Sequence, residues 1–242
     1  EEAEQALYAS LLTVPDQPDV VQHWSHIRQK ACLWPVLPPG GLPGLDEAAL
    51  MLRAGPLGAL ALTGDPALQR RIGAHWLSRK VPPAPRRLSP EHGYRHDRIR
   101  LGYVSSDFCR HAMSFLIVEL LERHDRRDFE VFGYCSSVDD NSEIRARVMR
   151  ALDHHVPALH LDDDALARRI RDDEIDVLID LNGMTKGARL RTLRWRPAPV
   201  QMTYLGYVGP VPLPELDYLL CDDQVVPPDA APLYAPAPLP LP

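Results

Sequence analysis

The chain has 242 residues, 45% hydrophobic and 25% charged, which is enough apolar material for a proper core. A formal net charge of −6 without a long basic run excludes a nucleic-acid groove or a polybasic membrane patch as the main function. No hydrophobic run approaches the roughly 18 residues of a membrane span, and no signal peptide opens the chain. Cys32, Cys109, Cys135 and Cys221 lack CxxC spacing, so buried thiols in a reducing, cytoplasmic setting are expected. The opening EEAEQ and the closing APLYAPAPLPLP, which is expected to complete no structural element, read as the ends of a piece of something longer. High Ala, Arg and Pro point to a GC-rich bacterial source.

Residues 1 to about 80 read as helical. In DVVQHWSHIRQKACLW, Val20, Val21, Trp24, Ile27 and Cys32 recur at helix-compatible spacings. DEAALMLRAG has Asp46 as cap and Gly55 as stop, and GDPALQRRIGAHWLSRK starts with Asp65 at the N-cap and Pro66 at the first helical position. Residues 81–97 are proline-rich and aperiodic, a linker or a surface-hugging connection. These 97 residues are expected to form a helical leader with its linker, and 98–242 a Rossmann-like α/β unit.

From residue 98 the rhythm changes. The strand-like RIRLGYV leads into a helix with Met113, Leu116, Ile117, Leu120 and Leu121 on one face. FEVFGYCS is a strand, Ser142 to Leu152 a helix, HHVPALH a weak strand, and DDDALARRIRDD a helix with acidic N-terminal residues. IDVLIDLNG is an apolar strand, followed by a short helix near 187–194 and two further strands, APVQMTYLGY and LDYLLCDD. Strands alternating with helices imply a parallel sheet with helices on both faces. His96 and His124, each followed by Asp, read as surface residues.

Ligands of open α/β sheets bind at the carboxyl ends of strands. The turn SSDFCRH carries Ser105, Ser106, Asp107 and His111 at such an end, where other sheets of this class place glycines. Asp107, four residues before His111, is placed to orient the imidazole; alternatively Ser106 or Asp107 only caps the helix and His111 is a surface residue. A Ser-His-Asp hydrolase fits poorly, because there is no G-x-S-x-G elbow and the three types sit in one turn. At the second strand end, Asn182 and Gly183 permit a tight turn, and Lys186 and Arg189 bring cationic donors to the crevice or are simply solvated. YLGYVGP, with Gly206, is the third end, where glycine allows close approach of backbone to ligand. The adjacent His154 and His155 and the run Asp162–Asp164 do not have metal-ligand spacing, so no metal is expected.

Four segments in order, RLGYVSSDFCRH, FEVFGYCSSVDD, IDVLIDLNGMTKGAR and LRWRPAPVQMTYLGYVG, resemble the O-linked N-acetylglucosaminyltransferase family, which includes O-GlcNAc transferase and the SPINDLY proteins. The resemblance runs from about residue 98 to 224. It implies a GT-B fold, with this chain as the Rossmann-like N-terminal half of the catalytic region. Tetratricopeptide (TPR) repeats are expected upstream and the nucleotide-binding half downstream. It implies inverting, metal-independent transfer of N-acetylglucosamine from UDP-GlcNAc to Ser or Thr hydroxyls of protein acceptors in the cytoplasm. No cofactor is expected, and the isolated chain should be inactive. His111 would be the general base at the acceptor with Asp107 beside it; Leu205, Gly206 and Tyr207 would contact the sugar, supported by Lys186 and Arg189. Where the family has Pro-Thr after the histidine, this chain has Ala112-Met113, and the family's GYPGT becomes Gly206-Tyr207-Val208-Gly209-Pro210. A second family histidine has no clear counterpart near AGPLGALAL. The alternatives are another donor, such as GDP-fucose, and a catalytically silent protein-binding scaffold.

Overall fold

The computed structural model describes residues 1–241 and divides the chain into two compact units, Glu1–Lys80 and Val81–Pro242. The first holds α1 (Glu2–Thr13), α2 (Pro18–Lys30), α3 (Glu47–Arg53), α4 (Pro56–Leu62) and α5 (Pro66–Lys80). The start signals act as expected: Ala49 N–H donates to the Asp46 carboxylate at 2.7 Å, and Ala67 N–H to Asp65 at 2.9 Å. Gly55 does more than stop α3. Its φ of +79° turns the chain directly into Pro56, the first residue of α4. Leu11, Val21, Trp24 and Leu50 form the centre of this unit's core. Trp24 Nε1 donates to Glu4 at 2.9 Å and Arg28 pairs with the same carboxylate at 2.8 Å, so one acid ties α1 to α2. Cys135 and Cys221 are buried, but Cys32 is exposed, because it lies beyond the end of α2 rather than on its buried face.

The second unit is a seven-stranded parallel sheet of β1 (Ile99–Ser105), β2 (Phe129–Cys135), β3 (His154–Pro157), β4 (Val177–Asp180), β5 (Val200–Tyr204), β6 (Tyr218–Cys221) and β7 (Ala237–Pro240). The spatial order is β3-β2-β1-β4-β5-β6-β7. Chain growth therefore runs outward from β1 in one direction and from β4 in the other. Right-handed crossovers then place α6 (Ala112–Arg123) and α7 (Glu143–Arg150) on one face and α8 (Asp163–Asp172) and α9 (Leu190–Arg194) on the other. Each of these helix pairs packs together. The sheet is a doubly wound α/β structure, and its switch point lies between β1 and β4.

Two expectations are corrected here. The buried arc of α6 is Met113, Ser114, Ile117, Val118 and Leu121, whereas Leu116 and Leu120 are 62% and 36% exposed. At 100° per residue, Leu116 and Leu120 fall on the flank of the arc centred between Ile117 and Leu121. The closing proline-rich run does complete an element, since Ala237–Pro240 pairs in parallel with β6. Proline is tolerated there because β7 is an edge strand with one side unpaired. Leu241, after the alternating Pro238 and Pro240, donates its N–H to Cys221 at 2.6 Å.

The segment 81–97 contains no helix or strand and is fastened to the sheet unit. Leu88 and Ser89 N–H groups donate to the Trp195 and Arg196 carbonyls at 2.8 and 3.0 Å. His124 and His96 are not simple surface residues. The Tyr103 hydroxyl hydrogen-bonds His124 Nε2 at 2.8 Å, and both His96 ring nitrogens lie 3.0 Å from carboxylates, Asp176 and Glu174. Burial alone would lower the His96 pKa, but the Glu174 and Asp176 hydrogen bonds outweigh it and leave it above the ordinary 6.5. A raised folded-state value means this stabilisation is complete below about pH 6.5 and is lost as pH climbs through the folded-state pKa. His96→Gln should therefore destabilise the chain in urea at pH 6 more than at pH 8, by up to about 1 kcal/mol. Equal losses at both pH values would refute the charged-histidine tie.

Candidate active site

The switch point brings the carboxyl ends of β1 and β4 side by side. Ser105 and Ser106 leave β1, and the Asp107 N–H donates to Ser105 Oγ at 3.0 Å. Phe108 is fully buried and its carbonyl accepts from the buried Arg145 guanidinium at 2.6 Å, which fixes the turn from the α7 side. Ser114 Oγ donates to the Asp107 carbonyl at 2.9 Å. The turn is rigid.

His111, not Ser106 or Asp107, is the N-cap of α6. Its extended backbone, φ −133° and ψ 152°, lets Nδ1 accept the Met113 N–H at 3.2 Å. In the neutral ring that bond places the proton on Nε2. Nδ1 also lies 3.9 Å from Asp107 Oδ2, beyond hydrogen-bond reach, with the His111 and Asp107 side chains 53% and 21% exposed. The expected pair is therefore together, with the histidine outermost.

Asn182 links the two strand ends. Its Oδ1 accepts the Ser106 N–H at 2.9 Å, so its Nδ2 is the donor to Asp107 Oδ2 at 2.7 Å and to Ser106 Oγ at 2.9 Å. Ser106 Oγ in turn donates to Asp107 Oδ1 at 3.0 Å. Behind it, the buried Asp180 carboxylate accepts from Gly183 N–H at 2.7 Å, Asn182 N–H at 3.2 Å and Thr203 Oγ1 at 3.0 Å. Burial pushes the Asp180 carboxyl up to about 6, against those three donors, and the negative Asp107 pushes the same way.

The third strand end packs onto the second. An ideal Cβ on Gly206 would sit 1.9 Å from the Leu181 carbonyl oxygen, so only glycine lets the β5 turn approach β4. Leu205, just before it, has φ +69°, an uncommon conformation for a leucine. Tyr207 is buried at 4% exposure, and its Cβ would clash with a side chain at Gly183. What residues 205–207 offer a ligand is thus mostly backbone and the partly buried Leu205. A pocket of about 260 Å³ opens beside them, lined by Tyr204, Leu205, Val208, Leu220 and Val225 among others.

The two expected cations part company. Lys186 is exposed, and its carbonyl oxygen lies 3.4 Å from Ser106 Oγ, which places its backbone against the Asp107 turn. Arg189 is 14% exposed with all three guanidinium nitrogens engaged, to Asp163 at 2.6 Å, Ser136 at 3.1 Å, Ala158 O at 3.2 Å and Leu161 O at 2.7 Å. It fastens the loop after β4 to the ends of β2 and β3. Among the described residues no group of three or more His, Cys, Asp or Glu could hold a metal ion. The roles of Asn182 as bridge, and of Asp180 and Thr203 behind it, were not foreseen. The available signal was a carboxylate inside the apolar run IDVLIDLNG, since a buried acid demands donors.

The sequence model of glycosyl transferase family 41 matches residues 82–237, well over half of the chain. The chain belongs to glycosyl transferase family 41. Among curated relatives of this family 41 chain, a probable UDP-N-acetylglucosamine–peptide N-acetylglucosaminyltransferase of Arabidopsis thaliana, SEC, is 36% identical over 192 residues, 74% of this chain and 19% of that protein. The UDP-N-acetylglucosamine–peptide N-acetylglucosaminyltransferase of Caenorhabditis elegans is 39% identical over 137 residues, 56% of this chain and 12% of that protein. The chain thus spans about a fifth or less of these relatives. A solved mutant O-GlcNAc transferase of Thermobaculum terrenum superposes with a TM-score of 0.66 at 24% identity, covering 98% of this chain and 53% of that one. That likeness establishes the shared doubly wound fold. The family 41 match spans the whole switch-point constellation, from the Asp107 turn to the Gly206 turn.

Proposed function

We propose that this chain is the N-terminal half of the catalytic region of a protein O-glycosyltransferase that moves N-acetylglucosamine from UDP-GlcNAc to Ser or Thr hydroxyls. The observation that carries this is the convergence, within a family 41 match, of Asp107, His111 and Asn182 at the switch point. The relatives named above are designated as acting on peptides with UDP-N-acetylglucosamine, which favours that donor over GDP-fucose. A downstream half would bind the nucleotide and complete the cleft, so residues 1–242 alone should transfer nothing. TPR repeats upstream would present the acceptor. Four free cysteines favour a reducing, cytoplasmic setting, and no helix among the described residues is long and apolar enough to cross a membrane.

The chemistry assigned to this half is acceptor activation. The imidazole exchanges its Nδ1 contact from the Met113 N–H to the Asp107 carboxylate as its proton passes through solvent from Nε2 to Nδ1, which leaves the Nε2 lone pair to take the acceptor hydroxyl proton. The hydroxyl oxygen bonds to the anomeric carbon as the bond to the diphosphate breaks, and UDP leaves with that electron pair. Leu205 and the Gly206–Tyr207 backbone line the sugar side. Lys186 stands on the loop beside the Asp107 turn, and Arg189 holds that loop. The test is calorimetric titration of the complete gene product with UDP-GlcNAc and with GDP-fucose, followed by mass spectrometry of a peptide library. UDP-GlcNAc binding with a 203 Da gain on Ser or Thr is expected, about the mass of one N-acetylhexosamine residue. Binding of neither donor would overturn the reading and favour a silent scaffold.

A further inference from the structure

We infer that Asn182 is a positioning residue for sugar transfer, holding the Asp107 carboxylate in the orientation that receives the Nδ1–H of His111. The inference rests on the function proposed above and adds a residue that the sequence had marked only as part of a tight turn.

The geometry leaves the amide one orientation. Asn182 is 1% exposed, and its Oδ1 is taken by the Ser106 N–H, a donor only. Nδ2 must then face the acceptors, and it meets Asp107 Oδ2 at 2.7 Å and Ser106 Oγ at 2.9 Å. Oδ2 is also the carboxylate oxygen nearest His111 Nδ1, at 3.9 Å. Asn182 is itself held, because its own N–H and that of Gly183 bond the buried Asp180, which Thr203 steadies from β5. A chain of fixed dipoles therefore runs from β5 through β4 to the turn after β1. Without Nδ2, Asp107 would keep only the Ser106 hydroxyl on Oδ1, and Oδ2 would be free to swing away from the imidazole. Loss of such alignment is a kinetic defect more than a binding defect.

The decisive variant is Asn182→Asp in the complete gene product, because the side chain keeps its size and still accepts the Ser106 N–H. Its second oxygen can donate to Asp107 only when it carries a proton. The charged and titratable groups around this position are Asp107 and His111 on the turn after β1, Asp180 on β4, Lys186 on the following loop and Tyr207 on the turn after β5. Two facing carboxylates share one proton and lose it at a raised pH. The ratio of variant to wild-type kcat should therefore be highest near pH 5.5 and fall about tenfold by pH 8, roughly the swing that one raised carboxylate ionisation produces. KM for UDP-GlcNAc should change less than about threefold, since the nucleotide part of the donor is assigned to the other wall of the cleft and Asn182 is not among the residues assigned to the sugar. Asn182→Ala should lower kcat about 10–100-fold at every pH, without the pH-dependent ratio.

A purely structural role predicts a flat ratio that follows the loss of folded protein, measured by thermal unfolding at each pH; that result would overturn the inference. Crystal structures of the wild type and of Asn182→Ala give a readout independent of turnover. The inference requires Asn182 Nδ2 within hydrogen-bond reach of Asp107 in the wild type and a displaced carboxylate in the variant. An undisplaced carboxylate, or a wild-type Asp107 turned away, would sink it even if the Asn182→Asp protein does not fold. Should the wild type transfer no sugar, the proposed reaction falls on that result, and the crystallographic comparison still decides the role of Asn182.

Discussion

Replacing His111 by alanine in the complete gene product is expected to lower kcat/KM for sugar transfer by about 10²–10⁴-fold, the usual contribution of a positioned general base. The same substitution removes the cap on the Met113 N–H and should cost about 1 kcal/mol of stability. His111→Asn separates the two effects. An asparagine at the N-cap can accept the Met113 N–H through its own Oδ1, so stability should return to within about 0.5 kcal/mol of wild type. It has no basic lone pair for the hydroxyl proton, so activity should remain low. Transfer kinetics and urea denaturation on the three proteins make the comparison. An asparagine variant with wild-type kcat/KM would mean that the imidazole only caps α6 and that the proton leaves by another route.

Gly206→Ala should be among the most destabilising single methyl additions in the sheet unit. The new Cβ would stand 1.9 Å from the Leu181 carbonyl oxygen, 2.8 Å from its carbon and 3.2 Å from Asn182 Cα. All three are backbone atoms at the end of β4, so no side-chain rotation relieves the clash. The turn after β5 must move away from the strand, and Leu205 at φ +69° has little conformational room to absorb the shift. A loss of about 3 kcal/mol is expected, the upper part of the range for overpacked sites. Urea denaturation of the chain measures it. The backbone that the new methyl presses on leads directly into Asn182, so transfer by the complete gene product should fall as well. An unfolding midpoint unchanged from wild type would show that the two turns are not in the close packing described.

How far the sequence reaches is clearest at particular residues. Asp46 and Asp65 were legible as caps because capping is a local interaction over three residues, complete within the segment that shows it. The turn 105–111 stood out because polar residues between an apolar strand and an amphipathic helix are themselves a local signal. The flank of α6 was misjudged because Leu116 and Leu120 fit the helical period nearly as well as Val118, and only the sheet beneath decides which arc is covered. Likewise β7 was missed because proline argues against a strand except at an edge, and edge position follows from the order of all seven strands.

By itself, the sequence determined the alternation of strands and helices, the local caps, the parallel α/β class and the presence of Asp107 and His111 on one turn. Each of these depends on residues within a few positions of one another. Tertiary structure alone decided that Asn182 meets Asp107 across 75 positions of chain, that Thr203 supports Asp180 across 23, and that Arg189 closes on Asp163 rather than facing the crevice. The first exists because β4 returns to lie beside β1 at the point where the winding of the sheet reverses, and the second because β5 pairs with β4. Hydrogen bonds act over about 3 Å, so partners far apart in sequence become partners only once that strand order has formed.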